Sequence, residues 1–210
     1  REDNQPIANF TAAVEKAQAP AGRYVQAAQD AALKTALDNA GFGIHRPIHE
    51  TSDADMRAIF ETNFFGTLNT IRPAMPHILR AGAGHILVCS SCLAKVGMPF
   101  HGAYSATKAC QDHIARAMRI ELAAIPGARI FASSVHPIGT RTEFFSTAER
   151  HSTEGRDSFS APDFLMQPPE RVARAIVRQL RRGRSGEVWT STPARLGFVF
   201  LNLAPRLGDR

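Results

Sequence analysis

The segment from Ile86 to Lys108 constrains the fold more than any other in this 210-residue chain. Ile86-Leu87-Val88-Cys89 is a short apolar run between Gly84 and Ser90, the pattern of a strand buried inside a sheet. Gly97, Pro99 and Gly102 then break the chain, and Ser105 and Thr107 fall in the first turns of a predicted helix. Tyr104 and Lys108 stand at i and i+4, so on a helix both lie on one face. Ser91, at the carboxyl end of the strand, can face that pair across the loop. A hydroxyl opposite a Tyr/Lys pair suits proton transfer to or from an oxygen.

On either side the chain alternates helical and strand patterns. Thr51-Ser52-Asp53 predicts a helix start, with Thr51 or Ser52 as N-cap. The set Met56, Ile59, Phe60, Asn63, Phe64, Leu68, Ile71 and Met75, reaching Pro76 and Leu79, forms one long apolar stripe with Asn63 its one polar member. After Tyr104, the residues Cys110, Ile114, Met118 and Leu122 keep an i+4 spacing, and Arg129–Val135 reads as another strand. Pro168-Pro169-Glu170 opens a further helix, and Glu187-Val188-Trp189-Thr190 reads as the last strand. Nearer the front, Phe10–Ala19 reads as a helix and Gly22–Gln26 as a short strand. Ala31–Leu37 is helical in composition, and Leu33–Leu37 makes a poor central strand. The alternation predicts an α/β fold with a mostly parallel sheet and helices on both faces.

The formal net charge of +6 raises the question of a nucleic acid or a membrane. Its densest part is Arg171–Arg184, where Val172, Ile176 and Leu180 repeat at helical spacing while Arg171, Arg174, Arg178, Arg181 and Arg182 fall mostly on the other face. A solvated amphipathic helix accounts for that pattern, and no aromatic residues interleave for base stacking, so no nucleic-acid partner is expected. No signal peptide is read at the N-terminus, and no apolar run reaches spanning length. Leu196–Ala204 is apolar but short. It is expected to pack as a C-terminal segment, with a peripheral membrane contact as the alternative. Three cysteines within Cys89–Cys110 make no disulfide framework, consistent with a cytoplasmic protein. Cys89 and Cys92 form a Cys-x-x-Cys read as one strand and one loop cysteine. No second Cys or His pair stands at ligand spacing, and no metal is expected.

Asn39-Ala-Gly41, Asn63-Phe-Phe-Gly66, Ser90-Ser91 and Tyr104-x-x-x-Lys108, in family order along the chain and with thirteen positions from Ser91 to Tyr104, resemble the short-chain dehydrogenase/reductase family. The resemblance implies a single Rossmann-like domain over residues 1–210 and hydride transfer between NAD(P)(H) and an alcohol/carbonyl pair. It implies Tyr104 as acid/base, Lys108 lowering its pKa from the ordinary value of about 10 and holding the nicotinamide ribose, Ser91 donating to the substrate oxygen, and Asn63 supporting the proton relay. Cofactor contacts are implied at Asn39, Ala40, Gly41, Tyr104, Lys108, Pro137 and Thr142, and Ile138 stands where the family carries Gly. Arg1 matches the basic residue that meets a 2′-phosphate, which leans the cofactor toward NADP. Residues 143–166, with Phe144, Phe145, Phe159 and Phe164, are expected to form a substrate lid. The family also implies a homodimer or tetramer acting on a small-molecule substrate.

One family feature is missing. No Gly-x-x-x-Gly-x-Gly occurs, and the first glycine is Gly22. In the family that loop follows the first strand and receives the pyrophosphate at a helix N-terminus. The fold is therefore expected without its first strand and glycine-rich loop, leaving the edge near Ile86–Cys89 exposed. The alternative to an active enzyme is a catalytically silent dehydrogenase-like remnant that acts only through subunit association.

Overall fold

The computed structural model describes residues 35–38, 41–141, 166–204 and 206. The expected elements at Phe10–Ala19 and Gly22–Gln26 lie outside these residues, as do Arg1, Asn39, Ala40, Thr142 and all of the lid except its last residue, Met166.

Among the described residues, four strands form one parallel sheet: β1 (Thr35–Asp38), β2 (Ala83–Cys89), β3 (Arg129–His136) and β4 (Gly186–Trp189), in that spatial order. Between β1 and β2 run α1 (Asp53–Phe60), a π-helical segment (Glu61–Phe65) and α2 (Gly66–Ala81). Helix α3 (Gly102–Ala123) joins β2 to β3, α4 (Pro169–Arg182) precedes β4, and α5 (Thr192–Leu203) follows it.

The sheet is buried on both sides, as the continuous apolar run of β2 requires. On one face Ile86 and Val88 of β2 and Ile130 and Ala132 of β3 pack against Ile71 and Ile78 of α2 and Ala115 and Leu122 of α3. On the other, Leu87, Cys89, Val135 and Val188 meet Val172 and Ile176 of α4. Each large aliphatic side chain removed from water in this way contributes about 1.5–3 kcal/mol. The five arginines of α4 are exposed, which makes it the solvated amphipathic helix expected.

Three expectations need correction. Thr35–Leu37, read as part of a helical segment, belongs to a strand whose register runs Thr35↔His85 to Asp38↔Val88. Backbone pairing to β2 overrides a weak local preference there. In consequence Ile86–Cys89 is no sheet edge, since β2 lies between β1 and β3. The long stripe is also not one α-helix. Ser52 caps α1 by accepting from the Asp55 amide, but the π segment inserts a wider turn five residues long. With that offset Ile59, Asn63, Thr67 and Ile71 share the buried side, and Ile78 takes the inward position further on. Pro76 and Leu79 are exposed instead. Gly82, at φ 61, ends α2 in a left-handed turn that a side chain would strain.

His85 shows how firmly the sheet interior is desolvated. Its ring is buried on β2, with Nε2 2.9 Å from Ser133 Oγ and the Phe131 ring 5.8 Å away. Burial pushes its pKa down from 6.5 to about 4. The unfolded chain therefore binds a proton below pH 6.5 that the folded chain refuses, so His85 weakens the fold as pH falls from 6.5 toward 4. We expect His85→Gln, which keeps a hydrogen-bonding tip but does not titrate, to flatten that part of the decline in thermal midpoint between pH 7 and pH 4.

Candidate active site

Three chain segments meet at the carboxyl ends of β1 and β2. The first is the loop at Gly41 and Phe42. Here the Asn63 side chain makes a two-way bond with the loop: Oδ1 accepts from the Phe42 amide at 3.0 Å, and Nδ2 donates to the Phe42 carbonyl at 3.0 Å. Nδ2 also donates to Thr107 Oγ1 on α3 at 2.9 Å. The Asn63 carbonyl in turn accepts from Gln111 Nε2 at 2.6 Å and Thr67 Oγ1 at 2.7 Å. The π segment supplies the wide turn that aims Asn63 inward, a frequent role for such bulges near functional sites. Gly41 is pressed so close that a Cβ there would lie 3.1 Å from Asn63 Oδ1 and 3.2 Å from Lys108 Nζ. A bare backbone is needed at that spot.

The second segment is the end of β2. Ser90 Oγ donates to the Lys108 carbonyl at 2.8 Å, fastening the strand end to α3. Ser91 begins the short turn Cys92–Ala94, its hydroxyl accepting from the Leu93 amide at 3.1 Å. The third segment is α3. Tyr104 lies against Ile44, Ile59 and Ala103, with Phe42, Met56, Phe60 and Leu93 around them. Lys108 Nζ donates to the Cys89 carbonyl at 2.9 Å and sits 5.6 Å from the centre of the Tyr104 ring. The strand-end serine and the helix phenol do come together: the Ser91 hydroxyl lies close enough to the phenol to oppose part of the effect of burial.

The electrostatics differ from the expectation for Tyr104. Burial pushes its phenol well above the ordinary tyrosine range, and the hydrogen bond with Ser91 opposes that only in part. The Lys108 ammonium lies over the flat of the ring and donates to the Cys89 carbonyl. Tyr104 is thus a protonated hydroxyl across the neutral range. The neighbouring Cys92 thiol is raised by burial to about 11, so it is no ready nucleophile.

Pro137 lies just past β3, and its carbonyl accepts from the Cys92 amide at 3.0 Å, bringing it beside the Ser91 turn. The loop after it is held by Gln167, whose amide donates to the Gly139 carbonyl at 2.8 Å and whose Nε2 donates to Thr190 Oγ1 at 2.9 Å. Ile138 and Gly139 are half-buried within this clamp.

Sequence reasoning missed a buried polar network behind Ser91. The His136 ring is fully buried, stacked on Trp189 at 4.9 Å, with Nδ1 3.0 Å from the Ser91 carbonyl. Nε2 lies 3.0 Å from Ser134 Oγ and 3.3 Å from Asp112 Oδ1. Lys95 Nζ bridges Asp112 at 2.5 Å and Glu187 at 2.8 Å, and Glu187 accepts from Trp189 Nε1 at 3.0 Å. Asp112, His136 and Glu187 offer donor atoms within 4.8 Å of one another, but the lysine ammonium already serves as their cation. The signal was present only as an acidic residue two turns past Tyr104 and a histidine before Pro137, with nothing in the sequence to pair them.

Burial alone would raise the Asp112 carboxyl, but bonds from His136, Lys95 and Ser134 outweigh it and hold the group well below the usual range. Its stabilisation is therefore complete above the unfolded carboxylate pKa of about 4 and is lost as pH falls through the lower folded value. Asp112→Asn is expected to cost about 2–4 kcal/mol at pH 7 by leaving Lys95 and His136 short of a partner, and less near pH 2. Denaturant melts at the two pH values measure it.

The family model described as short chain dehydrogenase matches residues 3–153. Retinol dehydrogenase 8 of Bos taurus is 30% identical over 166 residues, covering 70% of this chain and 52% of that one. The putative oxidoreductase SadH of Mycobacterium tuberculosis is 26% identical over 155 residues, covering 70% of this chain and 54% of its own length. The chain thus spans about half the length of these curated relatives. Among solved structures, a short chain dehydrogenase from Burkholderia cenocepacia in complex with NADP superposes with a TM-score of 0.63 at 28% identity, over 80% of this chain and 63% of that one. A short-chain dehydrogenase from Streptomyces avermitilis gives 0.67 at 22% identity, over 83% and 67%, which bears on the fold alone.

Proposed function

The chain belongs to the short-chain dehydrogenase family, and from that premise we propose that it is an NAD(P)-dependent oxidoreductase acting on an alcohol/carbonyl pair. The single observation that carries this reading is the convergence of buried Ser91, Tyr104, Lys108 and Asn63 on one place, with Lys108 Nζ over the Tyr104 ring and bare Gly41 against Lys108 and Asn63. When bound, the nicotinamide supplies or accepts the hydride. The residues that would hold its end of the cofactor fit that task. Gly41 leaves bare backbone against Lys108 and Asn63, and Pro137 stands beside the Ser91 turn. Asn39, Ala40 and Thr142 complete the proposed contact set.

The proton chemistry follows from the side chains. A carbonyl oxygen that gains negative charge needs a proton at that atom, and the Tyr104 hydroxyl carries one across the whole neutral range. Ser91 donates a hydrogen bond to the same oxygen, which fixes the substrate against the phenol. Lys108, held by the Cys89 carbonyl, places its amino group at the base of the site. Asn63 holds the loop, the π segment and α3 in one geometry and so supports the relay to Tyr104 and Lys108.

We infer a preference for NADP, supported by the relative solved with that dinucleotide, and a small-molecule substrate handled by a homodimer or tetramer. The competing reading is a catalytically silent dehydrogenase-like chain that acts only through subunit association. Cofactor titration separates the two. NADPH is expected to raise the thermal midpoint and change Trp189 fluorescence, more than NADH does, whereas no response at millimolar dinucleotide supports the remnant.

Tyr104→Phe is expected to retain that cofactor response while losing at least about 100-fold in the rate of carbonyl reduction. A variant that turns over at the parent rate would sink the assignment.

A further inference from the structure

Helix α5 is apolar around most of its circumference, yet the fold covers only part of it. Ala194, Phe198 and Leu201 form its half-buried side, with the Phe198 ring 6.1 Å from Trp189. Leu196, Val199, Phe200 and Leu203, at i, i+3, i+4 and i+7, form a second apolar stripe, exposed by 65%, 46%, 57% and 81%. The expectation that this segment simply packs is therefore only half met. Isolated exposed leucines are ordinary on a protein surface, but a contiguous helical stripe marks an interaction surface.

The rim of that stripe is basic. Arg195 precedes Leu196 on the same helix, and Arg206 is exposed just past its end. Arg195 also lines one groove with Arg116, Arg119, Glu187 and Ile120, and Ile120 is itself 70% exposed. The Arg119 Nε atom is buried without a hydrogen-bond partner among the described residues. Three guanidinium groups against one carboxylate leave the groove open to an anion. A second copy of the chain docked stripe to stripe across a two-fold axis would bring this arginine rim toward its own equivalent, which like charges oppose. A face with apolar side chains at its centre and arginines at its edge matches instead the headgroup boundary of a bilayer that carries negative charge.

We propose that α5 and the adjoining arginine groove form a peripheral membrane-docking surface for anionic phospholipid. Leu196, Val199, Phe200 and Leu203 enter the headgroup and upper acyl layer, while Arg116, Arg119 and Arg195 meet the phosphates. The helix is far too short and too well joined to β4 to span a membrane, so the contact is reversible and salt-sensitive. The proposal is independent of catalysis.

Sedimentation of the full chain with vesicles tests it. The chain is expected to bind vesicles of phosphatidylglycerol and phosphatidylcholine at least about tenfold more tightly than vesicles of phosphatidylcholine alone, and to lose most binding in high salt. Phe200→Ser with Leu203→Ser, and separately Arg116→Glu with Arg195→Glu, are each expected to abolish sedimentation while the circular dichroism spectrum is unchanged. In case the first pair does not fold, Leu203→Trp provides a second reading: its emission should shift to the blue with anionic vesicles and not with neutral ones. The proposal is overturned if the parent chain stays in the supernatant with anionic vesicles, or if binding ignores both variant pairs. It is equally overturned if the parent is a stable dimer that Phe200→Ser splits, which would show the stripe covered by a second copy.

Discussion

The amide of Asn63 holds this site together. One side chain reaches the backbone of Phe42 in both directions and the hydroxyl of Thr107, so the loop after β1, the π segment and helix α3 are locked to each other. A buried amide of this kind leaves little tolerance, because each donor or acceptor left without its partner costs about 1–3 kcal/mol. Everything around it adapts to that geometry. Gly41 must lack a side chain, the helix must widen at Glu61–Phe65, and Thr107 and Gln111 must lie one turn apart on α3.

With those three segments fixed, the chemistry of Tyr104 is set by where it is placed rather than by what lies next to it in sequence. The apolar wall of Ile44, Ile59 and Ala103 desolvates the phenol more strongly than Ser91 can compensate. Behind Ser91, the His136–Asp112–Lys95–Glu187 network joins the ends of β2, β3 and β4 to α3, with Lys95 paired to both carboxylates. Such a network gains little by its net Coulomb energy, since desolvation offsets most of it, but it makes any partial loss costly and so holds the strand ends in one arrangement.

Much of the site was legible before any coordinates. Ser91, Tyr104 and Lys108 were readable because strand and helix periodicities are local, and a spacing of i to i+4 has one meaning on a helix. The arginine-rich helix was readable for the same reason. Thr35–Leu37 was misread because its strand character comes from pairing with His85–Leu87, about fifty residues away. The stripe through Asn63 was read to the wrong residues at its far end, since a π turn leaves no reliable mark in composition. His136 and Asp112 went unnoticed because neither has a local pattern.

The sequence by itself determined the alternation of apolar runs and amphipathic helices, hence an α/β sheet covered on both faces, and the order of hydroxyl, phenol and ammonium along the chain. Those properties follow from side chains a few residues apart. The tertiary structure alone decided that burial raises the phenol rather than lowering it, that Lys108 turns to a backbone carbonyl, and that helix α5 leaves an apolar stripe uncovered by the fold. Each of these depends on desolvation, which is a property of everything that surrounds a group and not of its neighbours in the chain.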